Sequence, residues 1–247
     1  MKISVVIPAH NEEARIKNVL NAVLIQDYPD FEVIVVDNAS TDNTAAIVRS
    51  FNDIRLQLIH EPRKGLPFAR EAGRLAATGD ILAQLDADCL PETWWISRAV
   101  DKLSRSPHLV SISGPYLYYD YDFIKKYTLT FLQFLSQGII LNFFGQLLNM
   151  GGFVLGGNAF IRKSVLDAAG GYNTNISFYG EDTETARRIS KFGHTGYTMQ
   201  LYCNSSARRF KHIGFFKMGY LYCKTVVFVF INNKILEKKI DGSDDFR

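Results

Sequence analysis

Ile81-Leu82-Ala83-Gln84-Leu85-Asp86-Ala87-Asp88 reads as a strand buried on both faces that ends in two carboxylates one residue apart. Side chains alternate along an extended chain, so Asp86 and Asp88 point the same way. A strand apolar on both faces belongs in a sheet with helices on each side, the usual setting of parallel strands. The residues upstream repeat the pattern. Ile3 to Ile7 is a β-branched apolar run that passes through Pro8 to a polar helix start at Asn11-Glu12-Glu13. Phe31 to Asp37 reads as a second strand and Thr41 to Ser50 as a helix with Ser40 or Thr41 near its cap. Ile54 to His60 is a third strand and Leu66 to Ala77 a third helix. This alternation predicts an α/β fold with a mostly parallel central sheet and right-handed crossovers. Ligands of such sheets sit beyond the carboxyl ends of the strands. Pro8 to Asn11, Asp37 to Asp42 and Asp86 to Asp88 all fall there, so polar groups from three strands converge on one crevice.

The second half is less regular. Residues 107–126 are rich in tyrosine without a clear period, and residues 127–148 carry no charge. Gly156-Gly157-Asn158 reads as a tight turn or as backbone cleared for a close approach. A helix is expected from Lys163 to Ala169, closed by Gly170-Gly171, and another from Thr183 to Phe192, stopped by Gly193. The only tail-like piece is at 241–247.

The chain has 247 residues, 47% of them apolar, which is enough for one sizeable core, and one domain is expected over residues 1–235. A formal charge of +3 is too small to argue for nucleic acid. Basic residues nevertheless gather from Arg208 to Lys239, where Glu237 is the only acid, and this points to a local anionic partner, a phosphate group or a membrane surface. Cys89, Cys203 and Cys223 have no paired spacing, which fits a reducing compartment and argues against zinc or a disulfide framework. The apolar run at Ile3 to Ile7 is too short for a signal peptide.

Five segments together resemble, in order, the signature of family 2 glycosyltransferases of GT-A fold. They are Val5 to Glu13, Val35 to Asp42, Ala76-Ala77-Thr78-Gly79-Asp80 running on to Asp86-Ala87-Asp88, Gly156-Gly157-Asn158-Ala159, and Gly180-Glu181-Asp182. The likeness runs from about Ile3 to about Gly193. It implies a Rossmann-like nucleotide-sugar-binding half at 1–105 and an acceptor-binding half at 106–235 holding the apolar segment 127–148; residues 236–247 are expected to form a polar C-terminal tail. It also implies a nucleotide-diphosphate-sugar donor of UDP or GDP type, a divalent metal and an inverting transfer. Pro8, Ala9, His10, Asn11 and Glu12 then lie against the nucleoside and Asp37 contacts its base. Asp86, Ala87 and Asp88 hold metal and diphosphate, Gly157, Asn158 and Glu181 lie near the donor sugar, and Asp182 is the general base. Three departures leave the nucleotide open: His10 stands where an aromatic often stacks, Asn38 replaces a frequent second aspartate, and Glu71 follows Ala69-Arg70 where asparagine is common.

The chemistry suits these residue types. A diphosphate leaving C1 of a sugar gathers negative charge, and two aspartates present hard oxygens suited to Mn2+ or Mg2+ while leaving most of the coordination shell to phosphate and water. By itself an Asp-x-Asp is as readily a solvated turn. Arg70, Arg208 and Arg209 have two readings, forked hydrogen bonds to phosphate or an exposed charged face. His212 completes the metal shell, touches the donor phosphate, or is an ordinary surface or core histidine. Asp182 is a carboxylate base or an acidic helix start.

A nucleotidyltransferase normally opens with a glycine-rich phosphate loop, absent from Pro8-Ala9-His10-Asn11; a catalytically silent sugar-nucleotide-binding protein is the alternative of another class. A single membrane crossing at 127–148 would separate Asp86 and Asp88 from Asp182, so an interfacial or partly buried helix is expected there. The acceptor is then a glycan or a lipid-linked group such as a polyprenyl phosphate. The chain is expected in the cytoplasm, either in peripheral contact with the inner face of the membrane or free of it.

Overall fold

A computed structural model describes residues 1–144, 152–176, 180–214, 217 and 220, with the backbone alone at 141, 143, 144 and 209. The readings at 145–148, at Cys223, at the basic residues beyond Lys217 and at the tail lie outside the described residues.

The first half alternates as the apolar runs dictate: β1 (Ile3–Ala9), α1 (Ile16–Leu24), β2 (Phe31–Asp37), α2 (Thr44–Arg49), β3 (Leu56–His60), α3 (Leu66–Ala76) and β4 (Ile81–Leu85). These strands pair in parallel in the order β3-β2-β1-β4. The chain moves outward from β1 to β3 and then returns to the other side of β1. That reversal opens a crevice between the carboxyl ends of β1 and β4, the place where open α/β sheets bind ligands.

The second half extends the same sheet. It contributes β5 (Cys89–Pro91), α4 (Trp95–Arg105), β6 (Leu109–Ser113), β7 (Tyr116–Tyr118), α5 (Phe123–Gln133), β8 (Asn158–Arg162), α6 (Lys163–Ala168), α7 (Glu181–Ile189), β9 (His194–Tyr197), β10 (Cys203–Ser205) and α8 (Arg208–Ile213). The seven-stranded sheet continues β4-β8-β6-β9, with β8 antiparallel to both neighbours. A separate three-stranded sheet has the order β5-β10-β7.

Both faces of the large sheet are covered, which explains strands apolar on both sides. Ile3, Val5 and Ile7 pack with Ile16 and Leu20 of α1, Val48 of α2, and Trp95 and Leu103 of α4. On the other face Val6, Ile34 and Val36 pack with Ala69 of α3, Leu166 of α6, and Ala186 and Ile189 of α7.

Several boundaries differ from the sequence reading. Glu12 O accepts from the amides of Arg15 and Ile16 in a turn, so α1 begins at Ile16 rather than near Asn11. The amide of Thr41 donates to Asn11 Oδ1 at 2.8 Å and Ser40 Oγ accepts from the Asn11 amide at 3.1 Å, so neither residue caps a helix. Asp42 Oδ1 instead accepts from the Thr44 amide at 2.9 Å, and α2 starts there. β3 starts at Leu56 because Ile54 is fully exposed. The Gly156-Gly157 pair leads into β8, a buried strand that the turn-like glycines disguise. The helix stop at Gly170 and Gly171 does use left-handed backbone, with φ of 88° and 72°.

Thr78-Gly79-Asp80 lies at the opposite end of the sheet from the crevice. The Gly79 amide donates to Ser4 Oγ at 2.8 Å, the Asp80 amide to Lys2 O at 2.8 Å, and the Thr78 amide to Glu32 Oε1 at 2.8 Å. This motif fastens the entry of β4 to β1 and β2.

α5 passes into a π-helical winding at Phe134–Phe144. Among the described residues no helix is long and apolar enough to cross a membrane. The polar residues of the stretch grip β7: Gln133 accepts from the Tyr116 amide at 3.0 Å, and Thr130 and Gln133 each donate to Tyr116 O at 3.1 Å.

Candidate active site

The last residues of β1 and the loops after β1 and β2 form one wall of the crevice. Pro8, Ala9 and His10 face it, and His10 Nδ1 lies 2.7 Å from Asn38 O. Asn38 is committed to shape: its amide donates to Glu61 O at 3.1 Å and Arg63 O at 2.7 Å, and its Oδ1 accepts from the Gly65 amide at 2.8 Å. Asn11 and Ala39 both adopt φ of 54°, a conformation that costs roughly 1–2 kcal/mol for a residue with a Cβ and is held by the Asn11–Ser40–Thr41 bonds. Asp37 is buried behind this wall, 3.1 Å from His60 Nδ1.

The opposite wall is the end of β4. Asp86, Ala87 and Asp88 border the same cleft as Pro8, Glu12 and Arg208. The small sheet explains how a distant arginine arrives. β10 pairs with β5 directly after Asp88, Ser205 opposite Cys89, and three residues later Arg208 opens α8. Arg208 Nε lies 3.2 Å from Asp88 Oδ2, and the guanidinium forks onto both oxygens of Glu12. Burial raises the Glu12 pKa above the ordinary carboxylate value, and Arg208 offsets part of that rise.

β7, parallel to β10, delivers a residue that the sequence reading did not single out. The Tyr116 hydroxyl donates to Asp86 Oδ2 at 3.3 Å. Burial first, and then the neighbouring Asp86 charge, push this phenol well above its usual pKa, so it is a neutral donor. No local signal marks Tyr116 among its neighbouring tyrosines; only the non-local pairing of β7 brings it here.

Arg70 of α3 is buried, with 3% of its side chain exposed. Its Nη1 donates to Glu181 Oε1 at 2.7 Å and to Asp182 Oδ1 at 2.5 Å, and its Nη2 lies 3.7 Å from Asp86 Oδ1. Burial alone would lower the guanidinium pKa, but Asp182, Glu181 and Asp86 more than reverse it, and Arg70 is firmly charged. Asp182 keeps 32% of its side chain exposed, whereas Glu181 is buried. Both stand in the first turn of α7, where negative charge also suits the helix dipole.

Gly156 and Gly157 pass beneath this cluster. A Cβ on Gly156 would stand 1.9 Å from Asp182 Oδ1, and one on Gly157 2.1 Å from Asp86 Oδ2. The glycines therefore make room for carboxylates. Asn158 lies below the crevice and not in it, because its fully buried amide donates to the carbonyls of Gly114, Pro115 and Leu201 and its oxygen accepts from Trp95 Nε1 at 2.7 Å. His212 is exposed on α8, four residues past Arg208, and the Arg209 side chain lies outside the described residues.

Asp86 and Asp88 fit a hard divalent ion such as Mn2+ or Mg2+. Both offer carboxylate oxygens at the cleft, with 23% and 12% of their side chains accessible. Among the described residues no three His, Cys, Asp or Glu side chains are grouped to hold a metal ion. The rest of a coordination shell at this pair would come from a bound ligand and water.

The profile described as glycosyl transferase family 2 matches residues 4–170 of this chain. The glycosyltransferase AglE of Haloferax volcanii is 43% identical over 107 residues, 41% of this chain and 35% of that protein. The probable glycosyltransferase YdaM of Bacillus subtilis is 30% identical over 207 residues, 78% of this chain and 47% of that one. The chain thus spans less than half the length of these two relatives. The mannosyltransferase PcManGT of Pyrobaculum calidifontis, solved in complex with GDP-Man and Mn2+, superposes with a TM-score of 0.65 at 25% identity, covering 83% of this chain and 56% of that one. With more than half of its length matched and the sheet order, crevice and loops described above, the chain belongs to glycosyl transferase family 2 and has the GT-A fold.

Proposed function

We propose that the chain moves a sugar, with inversion at C1, from a UDP- or GDP-type donor to a hydroxyl or phosphate acceptor, using Mn2+ or Mg2+ at Asp86 and Asp88. The observation that carries this reading is that Asp86, at the end of β4, and Asp182, at the start of α7, contact one guanidinium beside the switch-point cleft. A cation site and an acceptor-side carboxylate are thereby close enough to serve one transfer. The bound ion would supply Lewis-acid stabilisation of the departing diphosphate. Asp182 receives the acceptor proton as its bond to C1 forms. Pro8, Ala9, His10 and Glu12 line the nucleoside side, and Arg208 adds positive charge where the diphosphate would lie. Glu12, buried and paired with Arg208, orients that arginine.

The donor is tested by thermal shift with UDP-glucose, UDP-N-acetylglucosamine and GDP-mannose, each with and without Mn2+. One nucleotide class is expected to stabilise the fold by about 2.7 kcal/mol at a hundredfold excess over its Kd, and only with the ion. Equal shifts with EDTA and with Mn2+ would count against a metal-held diphosphate.

An acceptor carried on a lipid is favoured by one feature of the surface. Phe123, Ile124, Tyr127, Phe131 and Leu132 of α5 are exposed, with Lys125 and Lys126 among them. Such a helix lies in an anionic interface by combining apolar insertion with basic side chains. The chain is expected to float with phosphatidylglycerol vesicles and to lose most of that binding as Phe123→Ser/Phe131→Ser. Recovery of the parent protein entirely in the soluble fraction would remove this part of the proposal.

A further inference from the structure

The sequence leaves Arg70 two readings, a fork onto phosphate or an exposed charged face, whereas in the structure its guanidinium is buried and faces carboxylates from two separate elements. Nη1 is shared by Glu181 and Asp182 of α7, and Nη2 is directed at Asp86 beyond β4. We propose that Arg70 is a positioning residue that fixes Asp182 relative to Asp86, so that the proton acceptor and the cation site keep one separation through turnover.

Three features support this. First, three carboxylates gathered at one place repel one another, and Arg70 is the cation at their centre. Second, the acidic pair divides its work. Glu181 is buried and anchors the guanidinium, while Asp182 keeps part of its side chain open to solvent. Third, the entry to β8 is cut back to seat the group: a Cβ on Gly156 would stand 2.5 Å from Arg70 Nη2. A phosphate ligand needs donors turned to the cleft, whereas both terminal nitrogens of this guanidinium are turned to carboxylates.

This inference rests on the proposed role of Asp182 as base, and the test separates the two. The readout is nucleotide release from whichever of UDP-glucose, UDP-N-acetylglucosamine or GDP-mannose the parent turns over with Mn2+, water serving as acceptor, beside calorimetric affinity for the matching nucleoside diphosphate. Arg70→Lys keeps a positive charge for folding but lacks the fork that spans Asp86 and Asp182. Its kcat is expected to fall about 10- to 100-fold, the scale of a displacement near 1 Å, with donor KM and nucleotide affinity within about threefold of the parent. Because the arginine acts through Asp182, Arg70→Lys/Asp182→Asn should be no slower than Asp182→Asn alone.

Reduced nucleotide affinity with kcat preserved would overturn the inference and make Arg70 a phosphate ligand. Multiplicative losses in the double variant would overturn it as well. Parental turnover in Asp182→Asn would instead remove the underlying reading of the base. If Arg70→Lys does not fold, Glu181→Gln decides: weakening the anchor should lower kcat with nucleotide affinity kept, and an unchanged kcat would contradict the proposal.

Discussion

Asp182→Asn is expected to reduce donor turnover by about 100- to 10,000-fold, the usual worth of a positioned base, while leaving metal-dependent nucleotide affinity within a few-fold of the parent. The side chains are nearly the same size, so the amide fits the same position against Arg70, where Asp182 Oδ1 now accepts at 2.5 Å. What is lost is the capacity to take the acceptor proton. Single-turnover release from a radiolabelled donor, measured beside calorimetry with the nucleoside diphosphate, separates the two effects. Unaltered release would show that another group takes the proton.

Gly157→Ala carries the second large effect. The added methyl carbon would stand 2.1 Å from Asp86 Oδ2 and 2.2 Å from the Tyr116 hydroxyl. The backbone has little room to retreat, since Gly157 O accepts from the Asp86 amide at 3.2 Å and the next residue, Asn158, is anchored by four buried hydrogen bonds. Asp86 must turn away from Tyr116. Overpacking of this kind costs roughly 1–3 kcal/mol of stability. Disturbing the partners of a metal ligand lowers metal affinity by about 10- to 100-fold. Mn2+ titrations in the presence of UDP or GDP measure the second quantity, and parental Mn2+ affinity in a folded Gly157→Ala variant would contradict the place given to Asp86.

The parallel half of the fold was readable because its cause is local. Ile3 to Ile7, Phe31 to Asp37 and Ile81 to Leu85 are β-branched or apolar runs punctuated by proline, glycine and acidic turns, and each sits in a doubly covered sheet. β8 was missed because Ala159-Phe160-Ile161 follows two glycines and owes its extended form to antiparallel pairing with β4 and β6, strands distant in sequence. β7 and β10 are three residues each, too short for any period, and they too exist through pairing.

The same division runs through the candidate site. Asp86 and Asp88 could be placed at the carboxyl edge of the sheet because they follow the apolar run of β4, although they lie in the turn between β4 and β5 and not in the extended strand whose alternation was expected to align them, and Pro8 to Glu12 could be placed at the end of β1. Asp182 and Glu181 stood out only through resemblance, since two acids at a helix start have an ordinary electrostatic explanation. Asn158 was assigned to the sugar because its segment matched, but the structure commits its amide to three carbonyls and an indole beneath the crevice. The Arg70 and Tyr116 contacts span 111–112 and 30 residues of chain respectively, and nothing in their neighbourhoods encodes them.

The central claim is that a divalent ion at Asp86 and Asp88 joins the protein to the donor diphosphate. Calorimetric titration of UDP and GDP into the parent and into Asp88→Asn, each with Mn2+ and with EDTA, tests it most directly. The account predicts that one nucleotide binds the parent only when Mn2+ is present, and that in Asp88→Asn the Mn2+ arm falls to the EDTA arm. Binding of equal strength in all four titrations would contradict it.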